Sequence, residues 1–221
     1  MDTRTVIAAT VVGALAGIPI AALAYATTAQ NSVHIPERWW RGSPAPWPLA
    51  TATVLLCGVV TAGITARVPI TVAVPAFWFF GNLGICLAII DVRHHRLPHV
   101  LTGGMTAVSL LCFTSATVIN GNMSPLLRAI LASLVAASLL LTIALTFPGQ
   151  LGLGDVALAG AMMLNLGWLS LATAVSGLLI GLAIQAVIGM VARARKPRIG
   201  AIAMGPAFIV GWFIALMLAD L

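Results

Sequence analysis

Residues 126–147 read LLRAILASLVAASLLLTIALTF, twenty-two positions with a single charge, Arg128, near the start. A run of this length is close to the ~20 apolar residues that an α-helix needs to cross a bilayer. Apolar residues follow one another without alternating, so the run does not read as a barrel strand. In lipid, a helix satisfies its own backbone groups, which an open strand cannot do.

Similar runs recur on both sides of it. They cover Val6–Ala26, Leu49–Ala66, Pro69–Ile90, Val100–Ile119, Leu126–Phe147, Asp155 to about Trp168, about Leu171 to Ala192, and Ile199–Leu218. The expected fold is all-α: a polytopic membrane helix bundle of about eight transmembrane helices, or seven if the short sixth run does not cross. Composition agrees, with 61% hydrophobic and only 7% charged residues. Soluble domains carry about 25% charged residues.

Within this frame residues 1–221 read as one integral membrane domain. Val6–Ala26 is longer than a signal-peptide core and its flank is hardly basic, so a retained helix is expected. Residues 30–48 form a short polar loop in place of a soluble domain. Its Trp39, Trp40 and Trp47, beside Arg38 and Arg41, suit an interfacial anchor. Cys57, Cys86 and Cys112 lie inside apolar runs and suggest neither a disulfide framework nor a zinc site.

Net charge is +6, but the basic residues occupy short loops. The implied partner is the lipid bilayer and not nucleic acid. On an eight-span count, one side holds Arg38, Arg41, Arg93, Arg96, Arg193, Arg195, Lys196 and Arg198; the other holds Arg4, Arg67 and Arg128. The excess of eight over three places the first side in the cytoplasm.

Only five acids occur in the chain. Two of them, Asp91 and Asp155, border apolar runs away from the termini, and two crossings return them to the same side. Carboxylates beside a membrane span are costly and are commonly functional. Plainer readings exist for each: Asp155 as a helix N-cap, and Asp91 in an ion pair with Arg93 or Arg96. Together, two neighbouring carboxylates suit general acid–base hydrolysis, because they ionise as a pair and one retains a proton. The dipoles of their own helices favour charge on Asp155, at a helix start, over Asp91, near a helix end. Gly152 and Gly154 leave the backbone bare beside Asp155, where an extended substrate could approach. His94, His95 and His99 read as interfacial side chains, and no metal site is expected.

These residues resemble a known family. Gly152-Leu153-Gly154-Asp155 matches the G-x-G-D motif of intramembrane aspartyl proteases, and the flanks resemble the type IV prepilin peptidases. Asp91 is followed by Leu97-Pro98, and Gly205-Pro206 stands in the last apolar run. The resemblance extends from about Pro75 onward. It implies an aspartic endopeptidase with Asp91 and Asp155 as catalytic pair, supported by Gly152, Gly154, Pro98, Gly205 and Pro206. It further implies no cofactor, a cell-membrane location with the active site on the cytoplasmic side, and a prepilin- or pseudopilin-like substrate. In such a substrate a short leader precedes a hydrophobic helix.

Departures are Ala157, where the family commonly has Lys, and Ala203-Met204, where Pro-Phe often precedes Gly-Pro. Bifunctional relatives carry a cysteine-bearing methyltransferase domain; residues 30–48 contain no cysteine, so that activity is not assigned. Two other readings compete: a transporter or proton pathway, and an inactive assembly factor of a pilus or secretion system.

Overall fold

The computed structural model describes residues 3–27, 45–147, 151–195 and 202–220. The tryptophan–arginine anchor expected at 38–41 and the basic residues Lys196 and Arg198 lie outside the described residues. Trp47 is described and is strongly exposed.

Eight helices account for nearly all the described residues. In chain order they are α1 (Thr3–Ala26), α2 (Trp47–Arg67), α3 (Val74–His94), α4 (His99–Asn120), α5 (Ser124–Thr146), α6 (Leu153–Leu169), α7 (Leu171–Arg195) and α8 (Gly205–Leu218). Six are long and apolar enough to cross a membrane, and α6 and α8 are shorter, at 17 and 14 residues. At 1.5 Å per residue, α6 is about 25 Å long. It is enclosed by α5, α7, α4 and α8, so lipid does not dictate its length.

Proline sets several starts. A proline stands in the first turn of α2, α3, α5 and α8, where the missing N–H has no intrahelical partner to lose. Two expected boundaries are thereby corrected. The third run begins as helix at Val74 and not at Pro69, because residues 69–73 form a turn closed by the Val74 N–H to the Thr71 carbonyl at 3.0 Å. Pro75 lies in the first turn of that helix. The last helix begins at Gly205, with residues 202–204 non-helical; Pro206 would clash with the carbonyl four residues back if the helix continued upstream.

Burial is uneven. α3 and α6, which carry the two candidate acids, bury side chains over most of their circumference, whereas α1, α5 and α7 turn much of theirs outward. Phe80 of α3 lies against Trp212 of α8 at 4.9 Å, and the Trp212 indole N–H donates to Asn165 Oδ1 of α6 at 2.8 Å. Phe113 of α4 stacks on Trp168 of α6 at 4.6 Å. The four helices whose ends build the site are thus held together by aromatic side chains in the part of the bundle away from the two acids.

Three arginines finish helices other than their own. Arg93 donates to the Ala24 carbonyl at the end of α1 at 3.0 Å, and Arg67 to Ala219 beyond α8 at 2.9 Å. Arg128 donates to the carbonyls of Gly167, Trp168 and Leu169 at the end of α6 at 2.6–2.8 Å. Last-turn carbonyls lack intrahelical donors and carry the negative end of the dipole. Arg93 belongs to one end of the bundle, Arg67 and Arg128 to the other.

Candidate active site

Asp91 occupies the last turn of α3 and is 4% exposed. One turn later the helix stops. His95 adopts the left-handed conformation (φ 49°, ψ 39°), and its N–H donates to the Asp91 carbonyl at 2.7 Å. The chain then reverses through buried Leu97 to Pro98, the N-cap of α4, whose carbonyl accepts the Leu101 N–H at 3.0 Å.

The Asp91 carboxylate is held from across the molecule. Its Oδ2 accepts the Gly205 backbone N–H at 2.7 Å. Gly205 is the first residue of α8, so this N–H is one that the helix itself leaves without a partner. A Cβ at 205 would lie 3.0 Å from that oxygen, so glycine allows the approach. Asp91 ends its own helix but faces the N-terminus of another, which favours negative charge.

Asp155 is the third residue of α6, not its cap. Gly152 is the N-cap and donates its N–H to Asp155 Oδ2 at 3.2 Å. The helix starts two residues before Asp155, earlier than the sequence suggests. Gly154 faces Leu97: a Cβ there would come within 2.8 Å of the Leu97 Cβ and 3.2 Å of its carbonyl oxygen. The bare backbone expected to meet a substrate is thus used at Gly154 to seat the Leu97–Pro98 turn against α6. That contact joins the elements bearing the two acids.

Asp91 and Asp155 line one cavity of about 280 Å³ at the end of the bundle, together with Gly152, Leu153 and Gly154. Their carboxylates are within electrostatic reach of each other. His95, Arg96 and His99 line the same cavity. From the sequence the two histidines read as interfacial and Arg96 as loop charge or a possible partner of Asp91; the signal for all three was Pro98, which folds their segment back over the site. Arg93 does not serve Asp91. It lies over the Tyr25 ring at 4.0 Å and binds α1. Pro206 faces a different, apolar groove between α2, α3 and α8. Among the described residues, no three His, Cys, Asp or Glu side chains converge as a metal-binding group.

Fold and site together define a polytopic helical membrane protein with a pair of carboxylates turned into a cavity at one end of its bundle. The sequence model of the type IV leader peptidase family matches residues 76–194, just over half of the chain. The chain belongs to that family, which is a family of peptidases. The match takes in Asp91, Pro98, Gly152, Gly154 and Asp155, and ends before Gly205 and Pro206. No curated protein and no solved structure matches the chain.

Proposed function

We propose that this chain is a membrane aspartic endopeptidase that removes the short leader of prepilin-like proteins at the cytoplasmic face, using Asp91 and Asp155 as its catalytic pair. The observation that carries the reading is the shared cavity. Two of the chain's five acids, one from the end of α3 and one from the start of α6, open onto the same space.

The chemistry follows from the pair. With one carboxylate ionised and the other protonated, the ionised group takes a proton from water as the oxygen attacks the scissile carbonyl carbon. The protonated group donates its proton to the carbonyl oxygen. Collapse of the tetrahedral intermediate breaks the C–N bond: one carboxyl proton passes to the departing amine, and a hydroxyl of the intermediate returns its proton to the other carboxylate, which restores the starting pair. Microscopic assignment is left to the pair, since coupled groups titrate jointly. Gly205 and Gly152 act as positioning residues, each fixing one carboxylate oxygen through its N–H. Gly154 and Pro98 set the turn that brings the two acids together. Pro206 starts the helix that presents Gly205.

The cytoplasmic placement rests on the eight-to-three arginine and lysine excess. Substrate class rests on family membership: a leader followed by an apolar helix suits a site at the membrane edge.

The test is co-expression with a tagged prepilin-like protein, followed by N-terminal sequencing of the product. Cleavage is expected with the wild type and lost by at least ~100-fold in Asp91→Asn and Asp155→Asn, the range for removing an acid–base group. Undiminished cleavage in both variants would refute the reading.

A further inference from the structure

We propose that the groove between α4, α5 and α6 receives the substrate's own transmembrane helix, the apolar segment that follows the cleaved bond. The proposal rests on the peptidase reading above and adds where the substrate lies.

Continuity is the first argument. The groove encloses about 410 Å³, and His99 and Leu153 line both it and the carboxylate cavity. A chain cut beside Asp91 and Asp155 passes directly from one space into the other. The apolar groove between α2, α3 and α8 is larger, about 450 Å³, but none of its lining residues belongs to the carboxylate cavity.

The helix arrangement is the second. α4 and α5 are joined by a short turn at Gly121–Met123, yet they hardly touch along their length. α6 packs closely on α5 and more lightly on α4, forming the floor. The α4 residues that line the groove, His99 to Thr106, lie at the end of that helix away from the α4–α5 turn.

The third argument is a pair of glycines without neighbours. Every other glycine inside a described helix has an atom within 4 Å of where its Cβ would be, in most cases from another helix. Gly103 and Gly104 of α4 have nothing within that distance. Glycine within a helix is unfavourable unless something uses the space, and in membranes small residues allow helix backbones to approach. Gly103 lines the groove, as does Ala157 opposite on α6. Elsewhere in the bundle the glycine space is taken by a neighbour; here that neighbour is a helix the chain does not itself supply.

The experiment places a photo-crosslinking residue at Leu141, which lines this groove, or at Leu56, which lines the α2–α3–α8 groove. The background is Asp155→Asn, in membranes holding a tagged prepilin-type substrate. The expected result is a substrate adduct from position 141 at least tenfold more abundant than from position 56. An adduct with lipid alone at position 141, or substrate captured preferentially at position 56, overturns the proposal. In parallel, Gly103→Leu is expected to lower kcat/KM at least tenfold, mostly through KM, whereas Leu56→Phe stays within twofold of wild type. Wild-type kinetics from Gly103→Leu would also overturn it. Wild-type processing of the same substrate separates the two claims: its absence overturns both readings, whereas processing with a silent position 141 overturns the groove alone.

Discussion

At the residue scale, two glycines decide where the carboxylates stand. Gly205 gives Asp91 a backbone donor at 2.7 Å, and a methyl group there would be 3.0 Å from the accepting oxygen and 3.3 Å from the Asp91 Cβ. Gly205→Ala is therefore expected to displace the carboxylate and reduce kcat about tenfold, with KM changed little, a split that steady-state kinetics would reveal. Gly154→Val is expected to act on stability, because its side chain would meet Leu97 backbone as well as side chain. Overpacking of this kind costs about 1–3 kcal/mol, measurable as a lower melting temperature in detergent. The acids themselves were legible in the sequence, because carboxylates are scarce and these two border apolar runs. Their partners were singled out, Gly152 for its bare backbone and Gly205 through the family resemblance, but the bonds they make were not legible. The Asp91–Gly205 bond joins residues 114 positions apart, and no local pattern encodes which helix end will face which side chain. His95 and His99 were hidden for a related reason: their place depends on the direction the chain takes after the left-handed turn at His95. Ala157, a departure from the family pattern, lines the groove beside the site.

At the scale of elements, the arginines do more than mark topology. Arg128 alone serves three carbonyls at the end of α6, the helix that carries Asp155 at its other end. Arg128→Ala is expected to destabilise the protein by about 1.5–3 kcal/mol, the range for hydrogen bonds made by a charged group. Thermal unfolding of purified protein would measure this. Peptidase activity below the transition should change less than stability, because Arg128 is at the opposite end of α6 from the cavity. The apolar runs made all eight helices legible, including the short sixth, since length and hydrophobicity suffice to mark them. Boundaries were less legible than the helices: the end of α1 at Ala26 was read from the apolar run alone, whereas the start of α8 lies at Gly205, beside Pro206, and not at Ile199. Pro69 read as the start of the third run, whereas the turn closed on Thr71 moves the start of α3 to Val74, beside Pro75.

At the scale of the molecule, the two ends of the bundle differ in charge and face opposite sides of the membrane in the proposed orientation. The carboxylate end carries Arg93 and Arg96, and the opposite end carries Arg67 and Arg128. With Asn122→Cys, a membrane-impermeant thiol reagent should label intact cells from outside, whereas Arg96→Cys should label only after the membrane is opened. The reverse pattern would place the site on the wrong face for a cytoplasmic leader. For pH, hydrolysis needs one carboxylate ionised and its partner protonated. At low pH both are protonated and no base remains; at high pH both are ionised and no acid remains. Activity should therefore rise and fall as a bell with two inflections that belong to the pair.

The most direct measurement is the cleavage rate of a prepilin-like substrate by Asp91→Asn, Asp155→Asn and the double variant, each purified and shown to be folded. If the two carboxylates act as one unit, either single change should lose nearly as much as both together, because effects within a catalytic unit are not additive. Losses that simply multiply, or a single variant that retains wild-type activity, would contradict a shared carboxylate site at Asp91 and Asp155.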